Sequence, residues 1–195
     1  MTVPSKLAPW RSPLARAIHR NRSRPDSRYL QLATIGLEGY PANRTVVFRG
    51  FCEGDRLMII SDTRSAKIDQ IQTCTSAEAC WYFAKTREQF RIRGDLSVIT
   101  ADCQDPALRN LRVQLWQNLS DAARQQFMWP APGKVRQSSD FSTAQPDNQD
   151  PLPHFCLVLL KPSHVDHLSL RGTPQDRVIY TYTAEGDWQV QPVNP

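Results

Sequence analysis

The chain has 195 residues, 40% hydrophobic and 22% charged, which is enough for one domain over residues 1–195 with a buried core and unlike a disordered chain. Its 24 basic and 19 acidic residues leave a net charge of +5, a mild excess that suits an anionic ligand without requiring nucleic acid. Five cysteines (Cys52, Cys74, Cys80, Cys103 and Cys156), widely spaced and with no CxxC pair, argue against a disulfide framework or a zinc site, and no apolar run reaches membrane-spanning length. The first residues lack the apolar stretch of a signal peptide, so a cytoplasmic location is expected.

Residues 1–11 read as an irregular arm. Ser12 followed by Pro13 predicts a helix start, with Leu14, Ala17 and Ile18 as its apolar stripe and an end before Pro25. The basic tract 11–28 reads as a solvated helix face. "SRYLQLATIG" alternates as a strand, "GLEGYPAN" is a turn, and "RTVVFRGF" (44–51) and "LMIIS" are the next two strands around the turn "CEGDR". Connections this short predict antiparallel pairing.

"SDTRSAKIDQIQT" predicts a helix capped by Asp62 or Thr63, with Ile68 and Ile71 facing inward. "SAEACWYFAK" and "QFRIRGDLSVITAD" are strands around a turn at "TRE", the second bent at Gly94. Leu108, Leu111, Leu115 and Leu119 mark a helix, and Ser120 caps another that stops at "PAPG". Residues 133–153 carry almost no apolar pattern, which in a compact domain means a functional or a disordered loop. "HFCLVLLK", "HVDHLSL", "DRVIYTYT" and "DWQVQPV" complete the strands, the last two joined at Glu185-Gly186. Seven or eight mostly antiparallel strands and three or four short helices predict a mainly β (α+β) fold: a barrel or strongly coiled sheet with helices outside.

The cations stand out. Arg64 and Lys67 fall in a predicted first helical turn, the unfavourable end for positive charge unless an anion sits on the free N–H groups. Both could instead simply reach into water; with Arg44 on a preceding strand, the anion reading gains weight. Gln89, Arg91 and Arg93 share one face of a strand, with Phe90 and Ile92 on the other. That face suits a planar polar ligand, or else solvent. The four histidines show no metal-ligand spacing, and there is no P-loop, nucleophile elbow or dinucleotide turn. No aromatic-interleaved basic strand accompanies the charge, so neither nucleic acid nor a membrane is an expected partner.

In their order and spacing, "QLATIG", "RTVVFRGF", "IISDTRSAKIDQI", "EQFRIRG", "RQSSD" and "DRVIYTY…DWQVQPVNP" make the chain resemble the pyridoxamine 5′-phosphate oxidase-like FMN-binding split-barrel family, in a branch common in cyanobacteria and plants. The resemblance implies an antiparallel split β-barrel with short flanking helices, FMN as cofactor and a homodimer with FMN at the subunit interface. It places Arg44 at the FMN phosphate within the segment Arg44, Thr45, Val46, Val47 and Arg49, and the backbone of Val46 and Val47 along the flavin ring. Ile60 and Ser61 would border the ribityl chain. Lys67 keeps one member of a phosphate-binding pair whose other position is Ala66, so Arg64 would supply the missing charge. Gln89 would meet the flavin, Gln137 and Ser138 would reach it from the other subunit, and Arg177 is a further contact.

For a small anionic substrate the resemblance offers Arg49 and Arg124. An Arg-x-His clamp expected before Arg177 is replaced by Thr173-Pro174-Gln175-Asp176, and a tryptophan expected beside the flavin is replaced near Leu168. Two functions follow: an FMN-dependent oxidoreductase resembling pyridoxamine/pyridoxine 5′-phosphate oxidase, with hydride transfer to flavin N5, or a non-catalytic module that holds FMN, haem or another planar anion.

Overall fold

The structure is a computed structural model that describes residues 7–136 and 141–195. Nine strands form one antiparallel sheet: β1 (Tyr29–Ile35), β2 (Pro41–Val47), β3 (Gly50–Cys52), β4 (Arg56–Asp62), β5 (Ser76–Phe83), β6 (Glu88–Ile99), β7 (Phe155–Ser169), β8 (Asp176–Tyr182) and β9 (Trp188–Val193). The helices are α1 (Arg11–Asn21), α2 (Ala66–Thr73), α3 (Pro106–Gln117) and α4 (Asp121–Gln125). The strand order is β2-β1-β5-β6-β7-β4-β3, with β8 and β9 added beside the far half of β7.

The predicted strand 44–51 is in fact two strands. β2 and β3 stand at opposite ends of the main strand order, yet only Phe48 and Arg49 separate them. A flat sheet cannot satisfy both facts, so the sheet curls until its two edges approach. Phe48 N–H donates to Arg28 O at 2.8 Å and Arg49 N–H to Met58 O at 2.8 Å, stitching the crossing to both sides. The result is the curled half-barrel with short helices that the pattern anticipates.

Two predicted strands near the carboxy end are one. β7 runs through Pro162, because its neighbours change there: residues 155–160 pair with β4 and residues 164–169 with β8, while β6 follows the other side. No strand pairs with 161–163 on the first side, so a residue without an N–H is tolerated. The β6 register shifts at Arg93/Gly94, opposite this point. A Cβ on Gly94 would lie 1.9 Å from Lys161 O.

One core cluster gathers Trp10, Leu14, Leu30, Leu32, Phe48, Trp81, Phe83, Phe90 and Val165 between the curled sheet and α1. A second packs Leu115, Trp116 and Leu119 of α3 on Phe155, Leu157 and Leu159. α1 starts at Arg11 with Trp10 as N-cap and no side-chain cap, so Ser12 does not serve as the cap its position suggested. Ser120 does cap α4, accepting from Ala123 N–H at 3.3 Å. The loop after Gly133 is anchored in its second half: Trp116 Nε1 donates to Asp147 O at 2.9 Å and Arg112 Nη2 to Leu152 O at 2.8 Å. All five cysteines are free; Cys156 alone is fully buried, and burial pushes its thiol up to about 12. Among the described residues, no helix is long and apolar enough to cross a membrane.

The backbone contact at Gly94 yields a test. Gly94→Ala forces the β6–β7 backbones apart at the bulge and should lower stability by about 2–3 kcal/mol, read as a reduced denaturation midpoint with an unchanged slope. A neutral substitution would mean that the bulge relaxes freely.

Candidate functional site

The curl brings β2, β4 and the start of α2 around one cavity of about 350 Å³. It is lined by Arg44, Thr45, Val46, Val47 and Arg49 from β2 and its exit, by Ile60, Ser61 and Asp62 from β4, and by Ser65 and Lys67 at the head of α2. Gln126, Phe127 and Pro132 close another side. The volume lies in the range of small-molecule sites.

Two of the cavity's cations, Arg44 and Lys67, are held by neutral acceptors. Arg44 Nη1 donates to Leu32 O at 3.1 Å and Thr34 Oγ1 at 2.6 Å, and its Nη2 donates to Gln70 Oε1 at 2.8 Å. Lys67 Nζ donates to Ser61 Oγ at 2.9 Å and Ser65 Oγ at 3.1 Å. Arg49 Nε is buried without a hydrogen-bond partner among the described residues. Burial lowers the pKa of all three; Arg44 adds to the effect at Lys67, and Arg28 adds to it at Arg49. Desolvated cations without a carboxylate partner are costly unless an external anion arrives.

The head of α2 is arranged to the same end. Ser65, not Asp62 or Thr63, is the N-cap, and its side chain caps no helical N–H. Its hydroxyl donates instead to Asp62 O at 2.7 Å. The first-turn N–H groups are thus left uncapped by a side chain beside Lys67, a site suited to phosphate.

Arg64 lies outside the helix and does not line the cavity. Its Nε and Nη2 fork the Asp62 carboxylate, the Nη2 contact at 2.6 Å. Burial pushes the Asp62 carboxyl up, but hydrogen bonds from Arg64 outweigh this and hold it low. The charge that the resemblance assigned to a phosphate is therefore committed to a carboxylate.

Other expected site residues lie elsewhere. Gln89 pairs with Leu168, and Leu168 with Arg177, so the three stand abreast on one face of β6, β7 and β8. Arg177 Nε and Nη2 fork Asp166 at 3.0 and 2.7 Å, and Asp166 also lies 3.8 Å from Arg91, which forks Glu78. Arg124 is not set out for a substrate: it is buried, donates to Leu119 O at 2.6 Å and contacts Asp121. Its guanidinium serves the carboxy end of α3 instead. Gln137 and Ser138 lie outside the described residues.

Sequence reasoning missed Gln70, Thr34 and the Gln126–Pro132 wall. Gln70 sits three residues after Lys67, on the same helical face, and could have been found by that spacing. The wall comes from a distant segment and leaves no local signal.

The sequence pattern of the pyridoxamine 5′-phosphate oxidase FMN-binding domain matches residues 7–100. Pyridoxine/pyridoxamine 5′-phosphate oxidase 2 of Arabidopsis thaliana is 42% identical, over 97% of this chain and 98% of its own length. The crystal structure of a pyridoxamine 5′-phosphate oxidase-related, FMN binding protein from Nostoc punctiforme superposes with a TM-score of 0.92 at 54% identity, covering 97% of this chain and 100% of that one. PhzG from Burkholderia lata, solved in complex with tetrahydrophenazine-1-carboxylic acid, shares the fold alone, with a TM-score of 0.78 at 15% identity and coverage of 100% and 98%. With similarity of this degree running nearly end to end, the chain belongs to the pyridoxamine 5′-phosphate oxidase FMN-binding family.

Proposed function

We propose that the chain binds FMN in the cavity between β2, β4 and α2 and acts as an oxidoreductase on a small anionic substrate. The observation that carries this reading is the set Arg44, Arg49 and Lys67, three part-buried cations lining one cavity with the head of α2; among the described residues Arg44 and Lys67 donate only to neutral groups and Arg49 Nε to none. Lys67, Arg44 and the first N–H groups of α2 would hold the phosphate; Ser61 and Ile60 would flank the sugar chain, and the Val46–Val47 backbone would edge the ring. When bound, FMN would supply the redox chemistry, as hydride acceptor for the substrate, with dioxygen or another acceptor restoring the oxidised flavin. Arg49, with its unpartnered Nε, would orient the substrate's negative charge. The Arabidopsis relative's name points to pyridoxine or pyridoxamine 5′-phosphate as substrate.

One observation favours a second reading, a flavin-holding module without that turnover. The β7–β8 connection carries Thr173, Pro174 and Gln175 where an Arg-x-His clamp on the vitamin ring is expected. Incubation of the FMN-loaded protein with pyridoxamine 5′-phosphate separates the two, since aldehyde formation supports the oxidase and its absence supports the module.

We also propose a homodimer. Ile60 of the cavity pairs with Leu157, whereas the Gln89–Leu168–Arg177 row crosses β7 eleven residues further on. That is about 36 Å of extended strand. A row so far along the strand from its own chain's cavity would serve the cavity of a second copy.

Purified protein should carry flavin absorbance or take up added FMN, and Arg44→Ala or Lys67→Met should each weaken FMN binding about 10- to 100-fold by calorimetry. A colourless protein that refuses FMN ends the reading. Affinity should also depend on pH in a set direction. Burial holds Lys67 below the ordinary lysine range, so the ammonium is fully present below that lowered pKa and is lost as pH rises through it. FMN affinity should therefore fall at a lower alkaline pH than an ordinary lysine would give, and Lys67→Met should abolish that fall. For the dimer, co-expressed Arg44→Ala and Arg177→Ala chains should regain some tight FMN sites that neither has alone, whereas independent monomers would regain none.

A further inference from the structure

Arg64 joins two segments on which the cavity depends. Its guanidinium forks Asp62, at the end of β4, and the same Nη2 reaches Trp129 O at 3.1 Å and Phe127 O at 3.4 Å. His154 Nε2 lies 2.6 Å from Phe127 O and 3.9 Å from Asp62 Oδ2, and Thr63 N–H donates to His154 O at 2.8 Å. Asp62, Gln126, Phe127 and Pro132 all line the cavity, and Arg64 does not. Gln126–Met128 is a single 3-10 turn following the five residues of α4. No helix continues beyond it to take up its carbonyls. Gln126 O accepts from Trp129 N–H at 3.3 Å, whereas Phe127 O is met by Arg64 and His154 and Trp129 O by Arg64.

We propose that Arg64 is a positioning residue that staples the 126–132 segment to the β4–α2 turn and fixes that cavity wall, without contacting the ligand's phosphate. This rests on the FMN reading. The Asp62 fork orients the guanidinium, which leaves Nη2 aimed at the two carbonyls. An arginine is required for both tasks at once, because its planar donors can serve a carboxylate and a carbonyl together. The wall so held lines the same cavity as Val46, Val47 and Ile60, where the ring and sugar chain would lie, and not only as Lys67.

The test compares FMN with riboflavin, which lacks the phosphate, on the full-length apoprotein. The ratio of the two dissociation constants isolates the phosphate's share. Arg64→Gln should weaken both ligands about tenfold and leave the ratio at its wild-type value. Arg64→Lys, which keeps a donor for Asp62 or one carbonyl, should recover part of the affinity for both. Lys67→Met should shrink the ratio instead. A loss confined to FMN would make Arg64 a phosphate ligand and overturn the proposal, as would unchanged affinity for both flavins in Arg64→Gln. A large fall in melting temperature with no recovery in Arg64→Lys would also overturn it, in favour of general destabilisation. A wild-type chain that binds neither flavin fails the FMN reading before any variant is made, and the staple fails with it.

Discussion

Two residues, Phe48 and Arg49, must carry the chain from one edge of the main sheet to the other. From that constraint the rest follows. The sheet has to curl; the curl sets β2 against β4; and the helix that leaves β4 is delivered with its head beside Arg44. Arg49 lies on the crossing itself, where its backbone N–H is used to close the seam and its side chain is left at the cavity. The site is thus a product of closure and not of any single element.

The electrostatic contrast across the molecule is instructive. On the open face of β5 to β8, cations are matched by acids: Arg91 with Glu78, Arg177 with Asp166. At the cavity, Arg44 and Lys67 are steadied by a carbonyl, hydroxyls and an amide. Neutral acceptors fix a cation's position without cancelling its charge, which a carboxylate would do. The acid in the lining, Asp62, is engaged by the Arg64 fork, which limits its pull on Lys67. Pre-oriented positive charge in a partly dry cavity is the arrangement expected to favour a dianion over neutral solutes.

Much of this was legible in the sequence. The alternation of β1 and the β5–β6 pair, the apolar stripe of α3 and the Ser120 cap all act locally, and local signals are what periodicity and capping report. The cavity strand could be picked out because Arg44 and Arg49 flank an apolar stretch. What could not be read depended on distant partners. The break at Phe48–Arg49 is imposed by closure, and the continuity of β7 through Pro162 depends on which neighbour is absent at that point. The roles of Arg64 and Arg124 turned on acceptors, at Asp62 and Leu119, that charge and spacing do not single out. Gln89 and Arg177 proved to flank Leu168 in one row and not to line the cavity, a fact of register invisible in either segment.

The long seventh strand has a bearing on assembly. It pairs with β4, β6 and β8, and its contacts with β4 join residues about a hundred positions apart, from Asp62–Phe155 to Leu57–Leu160. Until Phe155–Ser169 is in place, β4 and β6 each present an unpaired hydrogen-bonding edge, one of them bordering the cation cavity. Contacts so remote in sequence are slow to form, so an emerging chain spends that interval with adhesive strands uncovered. The region 7–100 that carries the family pattern is therefore not self-sufficient: severed after Ile99, it would keep most of the cavity's lining residues and lose the strand that stops them from sticking to other chains.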